Sequence, residues 1–188
     1  MNHINTYRQS HPLAILSLFL LTSLSACSVS PVKQEKTSSA ESCNKLKEII
    51  ADHPNKFNKY KKIYVSHRKY GSWTADKILP SAKQCHVWEW FNGLTSYACE
   101  WKVEKGEAQA LANFEKASKV IENCLGSAWT AKTNTTQSGG KHTVYSNVNT
   151  PTVVSIRYFE DSAGWEWLHS WHNTVIVGDK SSLNALLQ

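Results

Sequence analysis

The chain lacks most of the motifs by which enzymatic chemistry is recognised in a sequence. It has no Cys-x-x-Cys, no Gly-x-Ser-x-Gly, no His-Glu-x-x-His and no phosphate loop. Thiol exchange, α/β-hydrolase, zincin and nucleotide-phosphate chemistry are therefore without support. The histidines at 53, 67, 86 and 142 are scattered. His169 and His172 stand three apart on a candidate strand and so point to opposite faces, a poor metal pair. Two glutamates, Glu89 and Glu166, sit inside repeated Trp-Glu-Trp words and could be imagined as a glycosidase pair. Each alternates with its tryptophan neighbours and so points away from the aromatic face. No catalytic residue, metal site or cofactor is expected. The first 12 residues hold one arginine, Arg8, and no acid. The apolar run at 13–24, LAILSLFLLTSL, would cover about 18 Å as a helix, short of a roughly 30 Å hydrocarbon core.

A basic start, a short apolar core and small residues before a cysteine describe a secretory signal. The word LSAC at 24–27 resembles the lipobox of bacterial lipoproteins, with Leu24 three places before the cut and Cys27 after it. The resemblance implies cleavage after Ala26 and acylation of Cys27, which would hold the chain on the membrane. Ser28 stands where inner-membrane lipoproteins of enteric bacteria carry aspartate, so the resemblance implies the periplasmic face of the outer membrane.

Removing residues 1–26 takes away one arginine and moves the net charge from +6 to +5. The mature chain is long enough for one domain with a real core. A mild positive balance favours anionic surfaces, and nucleic acid is a poor partner for an exported chain. Four cysteines remain at 43, 85, 99 and 124. In an oxidising compartment they read as two disulfides, with three pairings open. Residues 27–40 form the lipidated cysteine and a polar, Ser-rich tether, leaving 41–188 as a single domain.

Periodicity then sets the fold class. Ser38 and Glu41 fit a capping box, followed by Cys43, Leu46 and Ile50 at helical spacing as far as Pro54. A second helix spans 106–126, with Ala110, Phe114, Ala117, Ile121 and Cys124 on one stripe and Gly126 as its stop. Candidate strands are 63–70, 84–91, 94–103, 142–148, 152–160 and 166–177, with a loop at 133–141. The sequence predicts an α+β domain: an antiparallel sheet of about six strands with two helices on one face. WTA and Trp-Glu-Trp words follow each helix in the same order, which raises a loose αβββ duplication.

The hairpin CHVWEWFNGLTSYACEW has two registers. A two-residue Asn92-Gly93 turn puts Cys99 opposite His86. A three-residue loop with Gly93 left-handed pairs Trp90 with Leu94 and sets Cys85 across from Cys99, within disulfide reach. The even cysteine count favours the second, giving Cys85–Cys99 and leaving Cys43–Cys124 as a bolt between the helices. In that register Trp88, Trp90 and His86 share the face opposite the cysteines, and two helices cover only one face of such a sheet.

These features point to a non-catalytic, lipid-anchored binding or adaptor protein with a protein partner in the envelope. In general style it is similar to envelope-assembly accessory proteins and to immunity proteins. The candidate binding residues are Trp88, Trp90, Trp165, Trp167 and Trp171 on the sheet, and Lys59, Lys61, Lys62 and Arg68 in the basic run 56–70. The alternative is a cell-wall glycan module that stacks peptidoglycan sugars on those tryptophans. An envelope hydrolase ranks third.

Overall fold

A computed structural model describes residues 39–66, 70–76, 79, 82–90, 92–103, 106–136, 139–161 and 170–181. The segment expected to be a signal with a lipobox, Ser38, Arg68, Trp165, Trp167 and His169 lie outside the described residues. The order of elements is α1 (Ser39–Asp52), β1 (Lys61–Ser66), β2 (Tyr70–Ala75), β3 (Gln84–Trp90), β4 (Thr95–Val103), α2 (Glu107–Leu125), β5 (Thr130–Thr135), β6 (Lys141–Ser146), β7 (Thr152–Asp161) and β8 (Ser170–Asp179).

All eight strands join one antiparallel sheet in the order β1-β2-β3-β4-β8-β7-β6-β5. The α+β class and the antiparallel sheet stand as read from the sequence, but the count of six strands is corrected to eight. The candidate strand 63–70 is two strands, β1 and the start of β2, and part of the loop expected at 133–141 belongs to β5. In β5, TAKTNT, every residue is exposed. An edge strand wetted on both faces carries no apolar alternation to find.

Each helix is thus followed by a four-strand meander, and the two meanders meet through their last strands, β4 and β8. The repeated words do not mark this equivalence. Trp73-Thr74-Ala75 falls in the second strand of the first half, whereas Thr130 and Ala131 open the first strand of the second.

Both helices pack on the face built from alternate residues Cys85, Val87, Tyr97, Cys99, Val175, Val177, Val154, Ile156 and Tyr158. From α1, Leu46 and Ile49 enter this core, and from α2, Ala110, Phe114, Ile121 and Cys124. Gly126, with φ of +74°, ends α2 by donating its N–H to Glu122 O at 3.0 Å, as a helix stop should. Tyr145 hydroxyl donates to Ser118 O at 3.3 Å and Asn173 Nδ2 to Ala110 O at 2.9 Å, tying α2 down to β6 and β8. At the end of α1, His53 Nδ1 lies 2.6 Å from Thr152 Oγ1 and its Nε2 lies 3.3 Å from Asp179 Oδ2. This buried histidine pins α1 to the start of β7 and the end of β8.

Both disulfides are those expected. Cys43–Cys124 joins the helices, and Cys85–Cys99 crosses between β3 and β4. The hairpin takes the three-residue register. Gly93 has φ of +79°, its N–H donates to Trp90 O at 2.8 Å, and Trp90 N–H donates to Leu94 O at 3.0 Å. Among the described residues no helix is long and apolar enough to cross a membrane.

Candidate functional site

The face opposite the helices carries the other residue of each pair. Tyr70 and Ser72 come from β2; Gln84, His86, Trp88 and Trp90 from β3; Ala98 and Glu100 from β4. Beyond the seam follow Thr174 and Ile176 of β8 and Arg157 and Phe159 of β7. In a flat sheet β3 and β7 would stand three spacings, about 14 Å, apart. Yet Gln84, His86 and Trp88 bound the same cavity as Arg157 and Phe159, with Ala98, Thr174 and Ile176 as its floor. Walls from strands so far apart share one small cavity because their side chains are long and the floor residues between them short, which makes the surface of this face concave. The cavity measures about 60 Å³, well below the roughly 300–1,000 Å³ of a small-molecule pocket.

On the first-half wall the aromatic rings pack on one another. Tyr70 and Trp88 stack at 5.4 Å and 19°, and Trp90 stands edge-on to Trp88 at 6.2 Å and 70°. All three are half-buried. On the second-half wall the Arg157 guanidinium lies 4.3 Å above the Phe159 ring and donates from Nε to Thr174 Oγ1 at 3.3 Å. The imidazole of His172 stacks on the same ring at 5.6 Å.

Glu100 joins the two walls. It accepts from Gln84 Nε2 at 3.2 Å and pairs with His172 Nδ1, while His172 Nε2 meets Ser170 Oγ at 2.7 Å. Hydroxyl, imidazole and carboxylate in this order are the contacts of an activated nucleophile. Ser170 and His172 do not line the cavity, however, whereas Glu100 and Thr174 do. The relay therefore lies on the same face of β8 as the cavity but outside its lining, and it fixes Glu100 and His172 against each other.

The remaining sequence candidates are placed elsewhere. Trp171 belongs to the helix side, 5.6 Å from Tyr158, so it is removed from the open platform on which the sequence put it. Glu89 also points to the helix side, where Lys61 Nζ reaches its Oε2 at 3.1 Å and lies 4.2 Å from the Trp73 ring. Lys62 pairs with Asp76 at 3.3 Å, and Lys59 lies 4.7 Å from the Tyr60 ring. Lys59, Lys61 and Lys62, the lysines expected to bind, are each engaged within the fold. They do not converge on the concave face. Sequence reading missed Glu100, Arg157, Phe159 and His172; only the period-two placement of Glu100 on the Trp88 face could have signalled one of them.

Burial, followed by the charge of Arg157, holds the His142 imidazole below its ordinary value of 6.5. The folded protein therefore keeps His142 neutral where the unfolded chain begins to bind a proton. Stability from this group is complete above about pH 6.5 and declines as the pH falls below it. Urea midpoints should be lower at pH 5 than at pH 7.5, and His142→Gln should narrow that gap. An unchanged gap would assign the acid sensitivity to other groups.

No family model matches the chain, and no curated protein or solved structure is significantly similar to it.

Proposed function

We propose that this is a lipid-anchored protein of the outer membrane's periplasmic face that binds a protein partner in its concave sheet face and performs no catalysis. The observation that carries this reading is the pairing of two aromatic-lined walls across a cavity too small for a free ligand. Such a surface suits a partner that lays down a broad footprint and inserts a side chain or two. The lipobox at Leu24–Cys27 supplies the anchor, and the helix-plus-four-strand order of each half supports descent from a duplicated αββββ unit.

Binding of peptidoglycan sugars is the weaker reading. Stacking on sugar needs ring faces turned outward, whereas Tyr70, Trp88 and Trp90 turn theirs on one another. The relay hydroxyl lies outside the lining of a cavity of about 60 Å³, which weighs likewise against a hydrolase.

One fractionation experiment tests the proposal. Full-length protein should sediment with the envelope, and Cys27→Ser should move it to the soluble fraction. From detergent-solubilised envelopes it should carry a stoichiometric protein. Trp88→Ala with Phe159→Ala should weaken that capture about tenfold or more, a hot-spot-sized effect, while leaving the melting midpoint of the lipoprotein little changed. Recovery of the lipoprotein alone, with a tryptophan emission shift on adding peptidoglycan, would replace the protein-partner reading with the glycan one.

A further inference from the structure

The two edges of the sheet are built differently. β5 ends one side with TAKTNT, polar but for Ala131 and exposed throughout. Such a strand gives a newcomer little apolar surface to bury, and sheet edges are commonly blunted with polar and charged side chains. β1 ends the other side with KKIYVS. Here Ile63 is 70% exposed, Tyr64 55% and Val65 40%. Four large apolar side chains are exposed among the described residues, and three of them are these neighbours. The fourth, Val148, sits in the turn between β6 and β7. A single exposed apolar residue is ordinary, whereas three in succession on an open edge are a template for another strand.

The edge is not open along its whole length. Pairing with β2 is irregular between Lys61 and Tyr64, then regular, Tyr64 with Trp73, Val65 with Ser72 and Ser66 with Gly71. An irregular stretch and two lysines guard the first half of β1, as they do at many edges. The second half keeps a regular ladder and the apolar side chains. Val65, opposite Ser72, lies on the concave face. Tyr64 lies on the helix face, its ring 4.9 Å from that of Trp73. A strand added from Ile63 to Ser66 would therefore meet an apolar side chain on each face of the sheet. Charge decides the kind of strand. The run 56–70 holds six cations and no acid. Among the described residues only Lys61 and Lys62 of that run have a carboxylate partner, Glu89 at 3.1 Å and Asp76 at 3.3 Å. A second copy paired through β1 would set two such runs side by side, which like charge opposes, whereas an acidic strand is drawn to the same edge.

We propose that the edge of β1 from Ile63 to Ser66 is a strand-addition site that takes an extended segment of another protein, apolar at its centre and acidic at its flanks. Main-chain hydrogen bonds would supply affinity, and Ile63, Tyr64, Val65 and the surrounding lysines would supply selection. The site is separate from the concave face and does not depend on what that face binds.

Hydrogen exchange of the detergent-solubilised full-length protein tests it, with a short synthetic peptide as probe, valines and a threonine at its centre and glutamates at both ends. Saturating peptide should slow exchange over 61–66 about threefold or more, since an added strand protects edge amides, and should leave β5 unchanged. The slowing should vanish when lysines replace the glutamates, when alternate peptide amides are N-methylated, and in Ile63→Glu with Val65→Glu. Equal slowing by the lysine peptide would remove the charge argument, and equal slowing by the methylated one would remove the added strand. Either result overturns the proposal, as does no slowing by the acidic peptide. The peptide controls stand even if the double glutamate variant fails to fold. Sedimentation checks the other occupant: the protein should run as a monomer, and a dimer dispersed by the glutamate variant would give the edge to a second copy instead.

Discussion

Replacing Cys43 and Cys124 together by serine should cost about 4 kcal/mol of unfolding free energy, read from urea unfolding as a lower midpoint with a steeper slope, since the unfolded chain without its cross-link exposes more surface. The bond closes a loop across a sequence separation of 81, and chain-entropy arguments give a cross-link of that span about 4.5 kcal/mol, with real proteins usually falling somewhat short. Two details place the effect at the upper end of the usual range. The bond joins the two helices directly, so its loss releases α1 from α2. The rest of α1 is then held by Leu46 and Ile49 and by the His53 contacts at its end. The second bond, Cys85–Cys99, spans a separation of only 14 and links residues already paired across β3 and β4. Its removal should cost less, about 3 kcal/mol at most on the same argument. If the Cys85/Cys99 double serine variant proves the less stable of the two, the entropic ordering fails.

Tyr97→Ala should destabilise the domain by about 3–5 kcal/mol, as expected for deleting a large buried aromatic from a core that cannot collapse into the hole. Tyr97 sits on β4 at the seam, opposite Val177 of β8, and is 1% exposed. Its ring meets Phe57 at 5.9 Å and Tyr60 at 5.5 Å. Phe57 holds a left-handed backbone, φ of +55°, and such a conformation in a bulky residue persists only where packing fixes it. Removing the Tyr97 ring therefore opens a cavity and also slackens a strained turn. Tyr97→Phe keeps the packing of the ring and loses the hydroxyl bond to Asp76 O at 2.6 Å, for which about 1 kcal/mol is expected. Chemical denaturation of the two variants separates the contributions, and near-equal losses would show that the hydroxyl bond outweighs the ring.

Local features were legible in the sequence, and the assembly of the sheet was not. The cysteine spacing fixed the register of β3 against β4, because a cross-strand disulfide tolerates only one of the two pairings that the Asn92-Gly93 turn leaves open. The α2 stripe was equally plain. By contrast β5 carries no apolar pattern, and the bend between β1 and β2 interrupts a run that reads as one strand. The pairing of β4 with β8 left no local trace at all, since neither strand's sequence names its neighbour. For that reason the concave wall was only half seen. Trp88 and Trp90 stood out, while Arg157, Phe159 and His172 reach the same face through a seam that only the folded sheet reveals. Glu89 stands out by its flanking tryptophans, yet the carboxylate that lines the cavity is Glu100, on the neighbouring strand and the opposite face.

The mirrored order of the strands also sets a timetable for folding. In synthesis and in export alike the first half arrives before the second, and β1 to β4 can pair as each hairpin completes. The partner of β4 is the last strand of all, with Ser96 meeting Gly178 and Val103 meeting Trp171. Until β8 emerges, β4 is a bare edge exposing an unpaired row of backbone groups beside Tyr97 and Trp101, the kind of edge that captures foreign strands. The long-range ladder at the seam makes closure the slow step. The interval before β8 arrives is when a nascent chain of this architecture most needs shelter, from a chaperone or from rapid completion of its own second half.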